Sequence, residues 1–292
     1  MENLISVSHA RKSYGGFMLD IDELVVPRGC VVGLVGGNGA GKTTTIKAIM
    51  GLIGLDAGEI TLFGRRVIKG SPLIDEKRRV GVIFDTCPFP ADLEVGEVAR
   101  MGRAAYPNWD AKVFEDLAGK FGLGLDKVVK ELSRGMGMKL QLAFALAHDP
   151  DLLILDEPTA GLDPLARAEL LDLVRERMSD DRGVLISTHI TSDLERIADY
   201  VTCINEGRVV FTEDIETVCD RAGVLRCRAS ELESVLAAGL FEPRGVCVVV
   251  GPYGVEALVP DRFALKESFP ELACERATVE SYMALTLKGD LR

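Results

Sequence analysis

The stretch Gly36-Gly37-Asn38-Gly39-Ala40-Gly41-Lys42-Thr43 constrains this 292-residue chain more than any other. It fits G-x-x-x-x-G-K-[ST]. An apolar run, Val31–Val35, precedes it and a helix-forming run, Thr43–Met50, follows. A nucleoside triphosphate presents crowded negative oxygens. Glycines let backbone N–H groups wrap them without side-chain clash, and a helix start adds positive potential. In such a cradle Gly36, Asn38, Gly39, Ala40 and Gly41 form the wrap, and Lys42 bridges the β- and γ-phosphates. Thr43 offers its hydroxyl to magnesium, and Thr44 reaches the α-phosphate. A glycine-rich turn with a chance lysine would need neither the strand before nor the helix after.

A second apolar run, Leu152–Leu155, ends in two adjacent carboxylates, Asp156 and Glu157. Neighbouring strand residues point to opposite faces, so the two carboxylates are expected to do different work. Asp156 suits the magnesium shell. Glu157, at the strand end, suits orienting the attacking water, since phosphoryl transfer needs positioning more than covalent chemistry.

Short β-rich runs alternate with helical ones up to about Val218, including Gly183–Ser187 as a strand and Pro164–Arg177 as a helix. This succession predicts a mainly parallel sheet flanked by helices. Glu94–Gly119 and Met136–His148 read as helices of an insert, with Trp109 as a core anchor. Beyond Val218, Val246–Val250 and Val255–Val259 flank Gly251-Pro252-Tyr253-Gly254 and predict a β-hairpin. Thr278 is the expected cap of a last helix through Leu287.

The net charge of −11 argues against a nucleic-acid partner. No apolar run approaches the ~20 residues of a membrane-spanning helix. The start lacks a basic stretch followed by an apolar one, so no signal peptide is expected and a cytoplasmic location is. Seven scattered cysteines and three histidines form no metal-ligand spacing.

Leu132-Ser133-Arg134-Gly135-Met136 lies upstream of the acid strand. Pro158-Thr159-Ala160-Gly161-Leu162-Asp163-Pro164 and Ser187-Thr188-His189 lie beyond it. Over about Leu4–Val218, these motifs and their order resemble the ATP-binding subunits of ABC transporters. The resemblance implies an α/β fold: a P-loop NTPase core of the ABC ATPase type over residues 1–218, with a helical subdomain inserted at about 86–150. A small C-terminal α+β domain would cover residues 219–292.

It also implies ATP and magnesium as cofactors and a head-to-tail dimer with two ATPs at its interface. Each ATP would lie between one subunit's phosphate loop and the other's Ser133 and Gly135. Asp163 would line the seam, His189 would sense the γ-phosphate and Tyr14 would stack on adenine. A membrane-spanning subunit on a separate chain would hold this one to the inner face of the membrane, and a self-sufficient site favours a homodimer.

Three positions depart from the family pattern. Arg134 and Met136 replace the usual signature residues, and Asp85 replaces a glutamine that reaches metal and attacking water. A carboxylate facing the γ-phosphate at ~4 Å would cost about 4 kcal/mol at an effective dielectric of ~20. Asp85 is therefore expected either to meet the magnesium or to cap a turn before Pro88.

Phe84-Asp85, Tyr106-Pro107-Asn108-Trp109-Asp110, the Ser-Arg-Gly-Met signature and the Tyr253–Leu258 segment together resemble a bacterial subgroup that serves export of antibiotics and peptides. The competing class is a soluble ABC ATPase. Ribosome-acting members usually carry two ATPase units in one chain. Chromosome-acting members need a long coiled coil, for which the roughly 90 residues between phosphate loop and signature leave no room. A regulator without turnover fits poorly with Glu157 and His189 both present. The tail is expected to regulate or stabilise the dimer, or simply to pack as an appendage.

Overall fold

In the computed structural model, residues 2–292 are described apart from Ser71, Pro243 and Tyr253. In chain order the first elements are β1 (Asn3–Tyr14), β2 (Phe17–Pro27), β3 (Val31–Val35), α1 (Lys42–Ile49), β4 (Ala57–Leu62), β5 (Arg65–Arg66), α2 (Ile74–Arg78) and β6 (Val80–Ile83). Then come α3 (Val95–Ala105), α4 (Ala111–Lys120), α5 (Arg134–Leu146), β7 (Leu152–Asp156), α6 (Pro164–Glu176), β8 (Gly183–Thr188) and α7 (Thr191–Ile197). The remainder is β9 (Tyr200–Asn205), β10 (Arg208–Asp214), β11 (Gly223–Cys227), α8 (Ala229–Ala237), β12 (Cys247–Gly251), β13 (Gly254–Val259), α9 (Arg262–Ser268), β14 (Ala273–Arg276), α10 (Val279–Lys288) and β15 (Asp290–Leu291).

The chain packs as two units. The first runs to Ile190 and takes back Ile204–Val209. The second holds Thr191–Cys203 and Val210–Arg292. In the large sheet the strand order is β5-β4-β1-β2-β10-β9-β3-β8-β7-β6. Strands β3, β8, β7 and β6 are parallel, and the first three are buried along their whole length. They read in sequence as continuous apolar runs because both faces are covered.

The expectation of a mainly parallel sheet needs correcting. β1, β2, β4 and β5 pair antiparallel, with Tyr14 opposite Phe17 across the tight β1–β2 turn. A two-residue connection can only return the chain antiparallel.

The insert also differs from its prediction. Glu94–Gly119 is not one helix but two, α3 and α4. Tyr106, ahead of Pro107, is driven to extended backbone (φ −115°, ψ 116°) and ends α3. Asp110 then caps α4 by accepting from the Lys112 and Val113 amides. Trp109 packs in an aromatic cluster with Phe114 and Phe144, and Gly102 leaves room for its ring.

In the second unit, strands β14-β11-β13-β12-β15 form an antiparallel sheet. Leu225, Val235, Val246, Ala257, Val259 and Leu265 lie in its core. The predicted hairpin is β12–β13, with Gly251 opposite Gly254. Tyr253, at its turn, lies outside the described residues. Thr278 caps α10 as expected, accepting from Ser281 N at 3.1 Å.

The division falls earlier than the expected 218/219 boundary. α7 packs with α10, and the Glu195 carboxylate accepts the Val279 amide at 2.9 Å. Packing thus groups α7 with the tail, whereas the strand–helix rhythm in sequence groups it with the core.

Candidate nucleotide site

The phosphate loop leaves the end of the buried strand β3 and turns into α1. A Cβ on Gly36 would run into the Ile204 carbonyl, so no larger residue fits there. Gly41 caps α1 at φ 117°, a left-handed conformation that favours glycine. Lys42 is 6 % exposed. Its Nζ donates to Gly36 O at 2.8 Å and Gly37 O at 3.3 Å, and stands 3.3 Å from Glu157 Oε1.

The two adjacent carboxylates have different partners, and strand alternation alone does not separate them. Asp156 is the last residue of β7 and is buried. Its Oδ1 accepts from Ser187 Oγ at 2.6 Å and Thr43 Oγ1 at 3.2 Å. Glu157 then leaves the strand at φ 52°, the left-handed region, with its amide donating to Ser187 O at 3.0 Å. Its Oε2 faces His189 Nδ1 at 2.7 Å and accepts the His189 amide at 3.3 Å.

Asn38, Gly39, Ala40, Thr43 and Thr44 line a cavity of about 520 Å³ together with Lys42, Glu157, His189, Asp85 and Arg134. Its donor set is backbone amides, an ammonium, hydroxyls and carboxylate oxygens, which suits a magnesium-bound triphosphate. Among the described residues no group of three His, Cys, Asp or Glu side chains could hold a metal by itself. Thr43 and Asp156 would supply the chain's oxygens, and magnesium commonly takes the rest from phosphates and water.

Tyr14 does not line this cavity. It stands 42 % exposed at the end of β1, and the aromatic wall is Phe17 instead. Ser133, Gly135 and Asp163 also lie outside the cavity of their own chain. Ser133 caps α5, its Oγ accepting from Met136 N at 3.3 Å. A Cβ on Gly135 would press on Leu162 at 2.9 Å. Asp163 caps α6, and the Ala166 amide, with that of Leu165, holds its carboxyl below the usual range.

Asp85 lines the cavity and has a side-chain partner that the sequence did not suggest. Its Oδ1 is taken by the Arg134 guanidinium, which supplies the compensating charge assigned in the sequence to a cation. Sequence reasoning also missed Gln141, buried on α5, which accepts from Phe84 N at 2.9 Å and donates to Phe84 O at 3.1 Å. The one signal was a lone amide within the apolar run of α5. Ser187 reads in sequence only as part of a motif, not as the hydroxyl that orients Asp156.

Fold and site together define a phosphate-loop ATPase. The family model described as ABC transporter matches residues 19–160. The chain is 32 % identical to the lantibiotic transport ATP-binding protein SrtF of Streptococcus pyogenes, over 73 % of this chain and 92 % of that one. It is 33 % identical to the daunorubicin resistance ATP-binding protein DrrA3 of Streptomyces coeruleorubidus, over 100 % of this chain and 98 % of that one. A solved ATP-binding subunit of an ABC transporter superposes with a TM-score of 0.66 at 33 % identity, covering 74 % of this chain and 91 % of that one. The chain belongs to the ABC transporter family, as an ATP-binding and ATP-hydrolysing subunit.

Proposed function

We propose that this chain is the motor of an exporter, working as a homodimer on a membrane-spanning subunit carried by a separate chain. The names of its relatives support export, since they act in lantibiotic or bacitracin transport and in daunorubicin resistance. The relative that matches along the whole chain supports the same role for the tail as part of such a subunit. No described helix is long and apolar enough to cross a membrane, so a spanning partner would provide the path.

The observation that carries the mechanism is the division of the machinery. Lys42, Thr43, Glu157 and His189 line one cavity, with Asp156 bonded to the Thr43 hydroxyl, while Ser133 and Gly135 of the same chain stand outside it. A second copy would bring its Ser133 and the start of its α5 to the open side, where a capping hydroxyl and a helix N-terminus favour phosphate. In this reading Lys42 binds the phosphates. Glu157 orients and polarises the attacking water, and His189 holds the Glu157 carboxylate in place. Thr43 and Asp156 would hold magnesium, which when bound neutralises charge on the phosphate oxygens.

Mixing tests the shared site. Lys42→Ala and Ser133→Arg proteins are each expected to be inactive. Their mixed dimer regains one sound interface and therefore part of the ATPase activity. Mixed dimers shown to form yet wholly inactive would refute it.

A further inference from the structure

The two charged departures from the family pattern, Asp85 and Arg134, are partners of each other. Asp85 stands two residues past the end of β6 and Arg134 opens α5, yet the Asp85 carboxylate and the Arg134 guanidinium form an ion pair on the wall of the cavity that holds Lys42 and Glu157. Arg134 also passes over the turn after Glu157. A Cβ on Gly161 would touch its Cδ and Nη1 at 3.5 Å. Lys42 is engaged with the Gly36 and Gly37 carbonyls and with Glu157, so the charge that answers Asp85 comes from Arg134. Both side chains are half exposed, at 52 % and 51 %. A pair in that setting adds little to stability. Its consequence is for the potential in the cavity, where an unanswered carboxylate repels a phosphate.

We propose that Asp85 and Arg134 act as one positioning pair, in which Arg134 cancels the Asp85 charge so that the loop after β6 can stand beside a triphosphate. The Gln141 side chain is the second tie, holding Phe84 to α5 one residue before Asp85. The loop is thereby fixed to the first turn of the signature helix of its own chain. The pair discriminates by the number of phosphates, because a carboxylate left bare penalises ATP more than ADP. This inference rests on the nucleotide-site reading above and adds a determinant of ATP-over-ADP preference to it.

The test compares full-length wild type with Arg134→Gln, Asp85→Asn, the double variant and Arg134→Lys. Affinities for Mg·ATP and Mg·ADP are measured by calorimetry, with steady-state hydrolysis measured alongside. Arg134→Gln is expected to weaken ATP roughly tenfold and ADP clearly less, allowing for solvent screening of the pair. Adding Asp85→Asn restores ATP affinity to within about twofold of wild type, and Arg134→Lys keeps most of it. Asp85→Asn alone does not weaken ATP.

A tie that served packing alone would suffer equally from loss of either partner and would show no rescue. Equal losses from the two single variants, or no recovery in the double, overturn the proposal. So does an Arg134→Gln protein that binds ATP as wild type does. If a single variant folds poorly, the charge-swapped protein, Asp85→Arg with Arg134→Asp, takes its place. Near-wild-type ATP affinity there supports the pair, and a loss as large as that of Arg134→Gln overturns it. The motor reading fails separately: wild type that binds ATP but never turns it over would end it, while the ATP-to-ADP affinity ratio still judges the pair.

Discussion

His189 Nδ1 stands 2.7 Å from Glu157 Oε2, and the His189 amide donates to the same oxygen at 3.3 Å. The other carboxylate oxygen faces Lys42 Nζ at 3.3 Å. The left-handed backbone at Glu157 accompanies this arrangement, so the carboxylate is held between the Lys42 ammonium and the His189 imidazole. Glu157→Gln keeps size and most hydrogen bonding but removes the charge that would polarise the attacking water in the proposed mechanism. It should bind ATP normally, lower turnover by roughly 10²-fold or more and trap an ATP-bound dimer visible by size exclusion. Unchanged steady-state hydrolysis would remove Glu157 from the role. His189→Ala should lower turnover with little change in ATP affinity.

Much of this site was legible because its residues are fixed by local chemistry. The phosphate loop needs its glycines at set offsets, and the acid pair needs a buried strand to carry it. Asp85–Arg134 was not legible as a pair, because the two lie far apart in sequence and nothing local tells which loop an α5 residue will meet. Gln141 was hidden for the same reason. The antiparallel half of the sheet was missed because the alternation in β1 and β2 was outweighed by the conspicuous apolar runs of the central strands. The tail hairpin and the Thr278 cap could be read directly, since turn and cap signals are local.

Gln141 gives a stability prediction. Its amide satisfies both backbone groups of Phe84 from a side chain that is 2 % exposed. Gln141→Leu fills similar space and leaves the Phe84 N–H and C=O without that partner. The expected cost is about 1–3 kcal/mol, read from urea unfolding. A loss of turnover larger than the loss of ATP affinity should accompany it if the loop after β6 positions catalytic groups.

Tyr282 sits against Phe211, with ring centroids 5.0 Å apart. Burial, with Glu213 nearby, pushes its phenol from 10.0 up to about 12. A raised value means the folded state favours the neutral phenol. The resulting stability is complete below pH 10.0 and is lost as pH rises towards about 12. An ultraviolet titration should show late-ionising phenols, since burial also raises Tyr106, and Tyr282→Phe should remove one tyrosine's share of that late component. A Tyr282→Phe protein with the wild-type alkaline titration would contradict the assignment.

His148 sets the complementary acid limit. It is 1 % exposed and stacked on Tyr106, with ring centroids 3.9 Å apart. Nδ1 faces Phe144 O at 3.3 Å and Nε2 faces Val80 O at 3.2 Å, so the ring bridges α5 to β6. A neutral imidazole has one N–H and can satisfy one of these carbonyls. A charged ring could satisfy both. Burial nevertheless outweighs those two carbonyls and the neighbouring Asp149 charge, and the ring is held below the usual 6.5. The folded state therefore binds this proton less readily than the unfolded chain. Stability from His148 is complete above pH 6.5 and is lost as pH falls through the depressed folded value. The capping carboxylates Asp163, Asp214 and Asp261 are also shifted down, but from 3.8, so their losses begin at lower pH. Urea midpoints followed downward from pH 6.5 should fall for wild type before that lower window is reached. His148→Phe keeps the stacking with Tyr106 and cannot take up a proton. Its midpoint should start lower, because the carbonyl that takes the imidazole N–H loses its partner, and should stay flat over the same pH range. A His148→Phe profile parallel to wild type would mean that another group carries the acid sensitivity.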